Sequence, residues 1–178
     1  MLFRSEFGAI FAGQLSLRKG LSYLLEGYSR MAGTGTRLTV VGTPMGSMNP
    51  FIPYRSLFRH VPNLPRPELA REYCSHDVFV FPTLLEGMGL VVAEAMACGL
   101  PVITTANGPD ELVRDGVDGF IVPECDADAI AARLELLRSD SALRRHMGES
   151  AALRAREFTW QQYFMRFQRF LDAWRVAP

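Results

Sequence analysis

The sequence predicts an α/β fold: a doubly wound parallel sheet of about six strands with helices on both faces, followed by C-terminal helices. Three observations lead there. Short runs rich in Val, Ile and Phe alternate with longer segments of helical period. Several runs, such as Val78-Phe-Val-Phe, are apolar at consecutive positions, which suits strands covered on both faces. The alternation recurs along most of the chain, as repeated βαβ units require.

Taken in order, the first strand is expected at 9–15 and is followed by a turn bounded by Gly13 and Gly20, then a helix at 20–31. The stretch from Met1 carries Glu6 and only a short apolar run at 7–13, so a strand explains it better than a signal peptide. A second strand at 38–42 and a weaker one at 60–64 precede a helix at 67–74. The run 78–82 is a strand, 90–98 a helix, and 102–105 and 120–122 are strands. Gly33-Thr-Gly35 reads as a helix C-cap and turn, and Gly108-Pro109 before Asp110 and Glu111 as a helix start. Asp126 and Asp128 supply N-terminal capping charge to a helix at 127–138.

Residues 141–157 are polar and Arg-rich. Residues 159–175 then place Trp160, Tyr163, Phe164, Phe167, Phe170, Leu171 and Trp174 at helical spacing, with Thr159 as N-cap. Such a helix either packs deeply on its own sheet or crosses to a second body. From residue 133 onward nine Arg face five acidic residues, the composition of a solvated helix face. With 178 residues, residues 1–178 read as one domain, its core at about 8–140 and its C-terminal helices at 141–175. A chain of this size buries roughly two-thirds of its unfolded surface and needs no disulfide or structural metal.

Nineteen basic side chains balance nineteen acidic ones and the isoelectric point is near 6.8, which leaves no electrostatic footprint for nucleic acid. Cys74, Cys98 and Cys125 are odd in number and well separated in sequence, so a reducing, cytoplasmic setting is expected. No run reaches the length that spans a bilayer, and peripheral membrane contact stays open. His60, His76 and His146 stand isolated and read as structural or exposed; Cys98 reads as core. Eighteen of the nineteen cations are Arg, and the only Lys is Lys19.

Chemistry concentrates in two segments. In 81–103 a buried strand runs into a loop carrying Glu86, Gly87 and Gly89, and a helix opens at Leu90. The free amides and positive dipole end of that helix face the carboxyl edge of the sheet, where such folds place ligands. The glycines let backbone approach a bulky anion. Glu94 lies one turn inside, among Val92, Ala93, Ala95 and Met96. Its carboxylate suits two adjacent sugar hydroxyls; equally, it could cap amides or meet Arg18. Gly13-Gln-Leu-Ser-Leu-Arg-Lys-Gly20 brings Arg18 and Lys19 toward the same edge, either as a phosphate contact or as a solvated pair at a loop tip.

Together, Gly13-x-Leu15-x-x-x-Lys19-Gly20, Glu86 and Glu94 with seven residues between them, and Asp115-Gly-Val-Asp-Gly-Phe-Ile-Val-Pro123 resemble a known family. It is the C-terminal, donor-binding domain of GT-B glycosyltransferases, in the retaining group 1 or family 4, a Rossmann-like half of a two-domain fold. The resemblance covers about 8–175. It implies that Lys19 and Arg18 contact a donor diphosphate, that amides around Gly87, Gly89 and Leu90 cradle the distal phosphate, and that Glu94 holds the ribose. Glu86 would approach the transferred sugar, with Lys19 and Glu86 as the catalytic pair, and residues 61–67, Leu64 among them, would border the base. Gln14 stands where many members carry Arg, and Met88 where Phe is common.

The resemblance further implies a nucleoside-diphosphate sugar as donor, retention of configuration, no cofactor and no metal site. An N-terminal acceptor domain is expected to be absent, which would leave the chain able to bind nucleotide and unable to transfer sugar alone. Two other readings stand beside it: half of a sugar-nucleotide epimerase, and a nucleotide-diphosphate-binding module acting with a separate chain. A dehydrogenase is excluded, because no Gly-x-Gly-x-x-Gly joins the first strand to its helix, and no phosphate-binding Gly-x-x-x-x-Gly-Lys-Ser/Thr loop occurs.

Overall fold

The computed structural model describes residues 6–33, 35–109 and 111–176, with backbone alone at 173, 175 and 176. Met1 to Ser5, Thr34 of the Gly33-Thr-Gly35 turn and Asp110 lie outside the described residues. Six strands form one sheet: β1 (Phe7–Ala12), β2 (Thr36–Val41), β3 (Arg59–Val61), β4 (Val78–Phe81), β5 (Val102–Thr105) and β6 (Gly119–Val122). Every pairing is parallel and the order is β3-β2-β1-β4-β5-β6. The order reverses between β1 and β4, so the connections leaving these two strands diverge and open a crevice at their carboxyl ends.

The helices are α1 (Leu21–Ser29), α2 (Arg66–Cys74), α3 (Leu90–Ala97), α4 (Ala127–Ser139), α5 (Ser141–Ala155) and α6 (Trp160–Val176). α1 packs with α4, and α3 with α2 and α5, so the two groups cover opposite faces of the sheet. Glycines permit the closest approaches. A Cβ at Gly27 would press on the Ala127 carbonyl, and one at Gly148 on the Gly99 carbonyl. The central strands are buried along their length, with Phe11, Phe79 and Phe81 forming an aromatic row whose centroids lie 5.8 and 5.9 Å apart.

Several expected boundaries move. β1 ends at Ala12, not at residue 15, because Gly13 takes φ 152° and turns the chain; Leu15 keeps a single bridge to Pro44. The third strand stops at Val61, since Pro62 has no amide to donate. Among the described residues no helix starts at Gly108-Pro109: the Gly108 amide donates to Thr105 and that of Leu112 to Pro109 in turns. Other caps match expectation. The Asp126 carboxylate accepts from the Ala129 amide at 2.8 Å, and the Thr159 hydroxyl accepts from that of Gln162 at 3.3 Å.

α6 does not pack on its own sheet. It touches the 3-10 turn Arg156–Phe158, and its aromatic face is open, with Trp160 69% and Trp174 73% exposed. His76 is buried and bonded to the Thr39 hydroxyl, and His60 faces the Gly42 carbonyl, so both are structural. Among the described residues, no helix is long and apolar enough to cross a membrane.

Candidate functional site

The two loops at the switch between β1 and β4 are clamped together. After β1, a 3-10 turn Leu17–Lys19 forms, with the Lys19 amide donating to Ser16 and the Gly20 amide to Leu17. Gly20 sits in the left-handed region at φ 67°, and any Cβ there would overlap the Pro82 carbonyl oxygen. Only glycine therefore lets this turn lie against the end of β4. The Leu84 amide donates to the Arg18 carbonyl at 2.8 Å, and the Thr83 hydroxyl lies 3.2 Å from the same oxygen. The exposed Arg18 guanidinium returns the contact at 3.3 Å to the Leu85 carbonyl.

Held this way, Lys19 is only 7% exposed. Its ammonium lies 5.2 Å from the Phe81 ring centroid and forms an ion pair with Glu86. The Glu86 amide donates to the Asn107 carbonyl at 3.1 Å, and the other carboxylate oxygen accepts from the Gly87 amide at 2.9 Å. Partial burial alone would raise the Glu86 carboxyl. The Lys19 hydrogen bond, the Gly87 amide and the charges of Lys19 and Arg18 outweigh it and hold the group below the ordinary carboxylate range.

α3 opens without a side-chain cap. Gly89, at φ 56°, occupies the cap position against the ring of Pro109, and Gly87, Met88 and Leu90 are exposed around it. Among the described residues the amides of Leu90 and Val91 find no acceptor, so the positive end of the helix is open to an anion beside the Lys19 and Glu86 pair.

Gln14 and Leu64 meet at a second feature. With Gly13, Thr43, Asn63 and Val91 they line a cavity of about 360 Å³ on the same sheet edge. Glu94 is three residues beyond Val91 on the same face of α3 and is half-buried. Its carboxylate has no hydrogen-bond or ion-pair partner among the described residues, so neither the amide cap nor the pairing with Arg18 occurs. It does act at a distance: the buried Tyr73 phenol is pushed up first by burial and then by the Glu94 charge. No contact joins Glu94 to Lys19 or Glu86. Among the described residues no three His, Cys, Asp or Glu side chains converge as a metal site would need.

Sequence reasoning missed Phe81, which floors Lys19, and Thr83, whose buried hydroxyl and carbonyl join the Arg18 turn to the Thr105 hydroxyl. It also missed Asn107 and Pro109, which brace the loop from the next strand. Only Pro82-Thr83 directly after a strand hinted at a structured loop.

The chain is similar in sequence and fold to known proteins. The D-inositol 3-phosphate glycosyltransferase of Arthrobacter sp. strain FB24 is 32% identical over 193 residues, covering 96% of this chain and 45% of its own. Sucrose-phosphate synthase from Thermosynechococcus elongatus superposes with a TM-score of 0.85 at 26% identity, over 99% of this chain and 47% of its own. Anabaena HepE, in complex with UDP and glucose, shares the fold with a TM-score of 0.82 at 20% identity, over 95% and 49% of the two chains. The chain thus spans about half the length of these relatives. The family described as "Glycosyl transferases group 1" matches residues 6–140, which takes in every strand and both loops of the switch point. By sequence and by fold, the chain belongs to the group 1 glycosyl transferases and comprises the C-terminal-domain portion of their two-domain architecture.

Proposed function

We propose that this domain binds a nucleoside-diphosphate sugar and presents it for transfer with retention of configuration and without a metal. The observation that carries the reading is the conjunction at one switch point of a sequestered Lys19 and Glu86 pair and an uncapped helix N-terminus. In transfer, the bond from the sugar's anomeric carbon to the diphosphate breaks and a bond to the acceptor oxygen forms. Negative charge grows on the departing phosphate oxygens. Lys19, the nearby Arg18, and the amides of Leu90 and Val91 are fixed donors for that charge, which favours the transition state over the bound donor.

Glu86 would leave Lys19 to meet the sugar and the positive charge developing on its ring. The unpartnered Glu94 carboxylate suits the ribose hydroxyls, because a half-buried acceptor without donors gains most from two of them. The cavity bordered by Gln14 and Leu64 has room for the base, and UDP in the HepE structure makes uridine the first base to test. Gln14 adds no charge, so diphosphate binding rests on Arg18 and Lys19.

Leu17, Leu85, Met88 and Leu90 rim the site and are exposed, as a surface facing a second body would be. The catalytic unit in this proposal therefore includes an acceptor domain, and the isolated domain binds donor without transferring sugar. Calorimetry with UDP, GDP and ADP tests it. One nucleotide should bind, and Lys19→Ala should weaken it at least tenfold; no binding of any nucleotide at millimolar concentration would overturn the reading. In the complete enzyme, losing Lys19 is expected to slow transfer by a factor of about 10² to 10³.

A further inference from the structure

Away from the switch point, the C-terminal ends of α2 and α3 bring together two cysteines that are far apart in sequence. Cys74 is the last residue of α2 and Cys98 the C-cap of α3. The Cys98 Sγ lies 3.9 Å from the carbonyl oxygen of Ala70, one turn before Cys74 on α2, and the two thiols share a hydrogen bond. Cys74 is exposed, whereas Cys98 is half-buried and within electrostatic reach of Tyr73 and Glu94. Cys125 follows β6 at the opposite edge of the sheet, with its thiol against the Tyr23 hydroxyl, and cannot reach either.

We propose that Cys74 and Cys98 form an oxidisable dithiol, a modification site at which a low-molecular-weight disulfide converts the two thiols into a cystine linking α2 to α3. Cys74, open to solvent, attacks one sulfur of the small disulfide and releases the first small thiol. The Cys98 sulfur then attacks the Cys74 sulfur, its proton passing to the second small thiolate as that leaves. Two protein thiols and one small disulfide thus become one protein disulfide and two small thiols. The order of attack follows from access. Burial first, then the Cys74 hydrogen bond and neighbouring charge, push the Cys98 thiol up to about 11, so it resolves the mixed disulfide and does not start the reaction. The link depends on nothing assumed about nucleotide binding.

The test uses the reduced chain, oxidised glutathione as the probe, and maleimide labelling after denaturation. Untreated protein takes up three labels, one for each cysteine. Treated protein is expected to yield a linked peptide pair containing Cys74 and Cys98, and treated Cys125→Ser, which lacks the exposed third thiol, to take up no label and to lose two hydrogens in intact mass. Cys98→Ser should instead stop with glutathione on Cys74, and Cys125→Ser should close as the natural sequence does. Three labels after treatment, a stable glutathione adduct at Cys74 of the natural sequence, or a link to Cys125 would overturn the proposal.

Discussion

Lys19 and Glu86 serve the fold as well as the proposed site, and a double-mutant cycle separates the two roles. Their side chains are 9% and 17% exposed, between the solvent-exposed regime, where ion pairs couple by about 0.2–1 kcal/mol, and the buried one, where breaking a pair costs about 3–5 kcal/mol. A coupling of about 1–2 kcal/mol follows. Lys19→Met also loses the ammonium over Phe81, worth about 0.5–1 kcal/mol, so this single change should cost about 2 kcal/mol. For a domain of this size that lowers Tm by about 4–8 °C. Glu86→Gln should cost less, because the amide oxygen still accepts from Lys19, even though the amide nitrogen can no longer accept from Gly87. Urea denaturation of the four proteins at neutral pH gives the coupling, and a second axis checks its origin. The folded-state pKa of Glu86 is depressed, so its contribution is present above the ordinary carboxylate range and is lost as pH falls through the folded value. In Lys19→Met, burial acts unopposed by the ammonium, and this acid-side loss should shrink or reverse. A coupling within about 0.3 kcal/mol of zero, with unchanged pH dependence, would refute the argument that the pair clamps the two loops.

Other consequences are open to simpler measurements. Gly20→Ala, strained at φ 67° and overlapping the Pro82 carbonyl, should destabilise by more than about 1 kcal/mol in thermal melts and separate the loops that hold Lys19. His76, lowered to about 4 chiefly by burial, remains neutral in the fold. Stability should therefore fall by up to about 3 kcal/mol as pH drops from 6.5 to 4, and His76→Gln should remove that slope in denaturation curves. Arg114 donates to the fully buried Asp118 at 2.8 Å through both Nε and Nη2. Arg114→Ala removes the countercharge and leaves that carboxylate with only the residue-114 amide and the Ser150 hydroxyl, so it should cost up to about 3–5 kcal/mol, more than Asp118→Asn, which leaves Arg114 free to reach water. Glu94→Gln should leave stability near that of the natural sequence, since the carboxylate has no partner among the described residues, while weakening nucleotide binding in calorimetry.

The parallel sheet was legible because two-sided burial leaves a local mark. Val78-Phe-Val-Phe and Val102-Ile-Thr-Thr carry no polar alternation, and the structure buries both from each side. Strand ends were less legible, because they depend on neighbours. β1 stops at Ala12 when Gly13 turns toward β2, and a Cβ on Gly42 would strike the Gly13 carbonyl, so two glycines distant in sequence decide one boundary. The absent helix at Gly108-Pro109 has a similar cause. A Cβ on Gly108 would press on the Thr104 hydroxyl and the Thr105 carbonyl, and Pro109 is taken up bracing Gly89. Proline followed by acidic residues carries a helix-start signal that tertiary packing overrides here.

The site divides along the same line. Lys19, Glu86 and the glycines could be read because charge and backbone freedom belong to single residues. What makes them a site is relational: Phe81 beneath the ammonium, Thr83 and Arg18 joining two loops, Asn107 holding the amide of Glu86. None of these has a sequence signature, since each works by filling a distance that only the sheet order creates. Glu94 and α6 show the converse, features whose meaning lies in what this domain leaves unmet. Among the described residues the Glu94 carboxylate has no donor and the aromatic face of α6 has no cover. Tyr73 is within electrostatic reach of Glu94, and its buried hydroxyl has no hydrogen-bond partner among the described residues. That the fold tolerates both indicates that neither feature is maintained by the stability of this domain, which accords with the role proposed for Glu94 toward the donor.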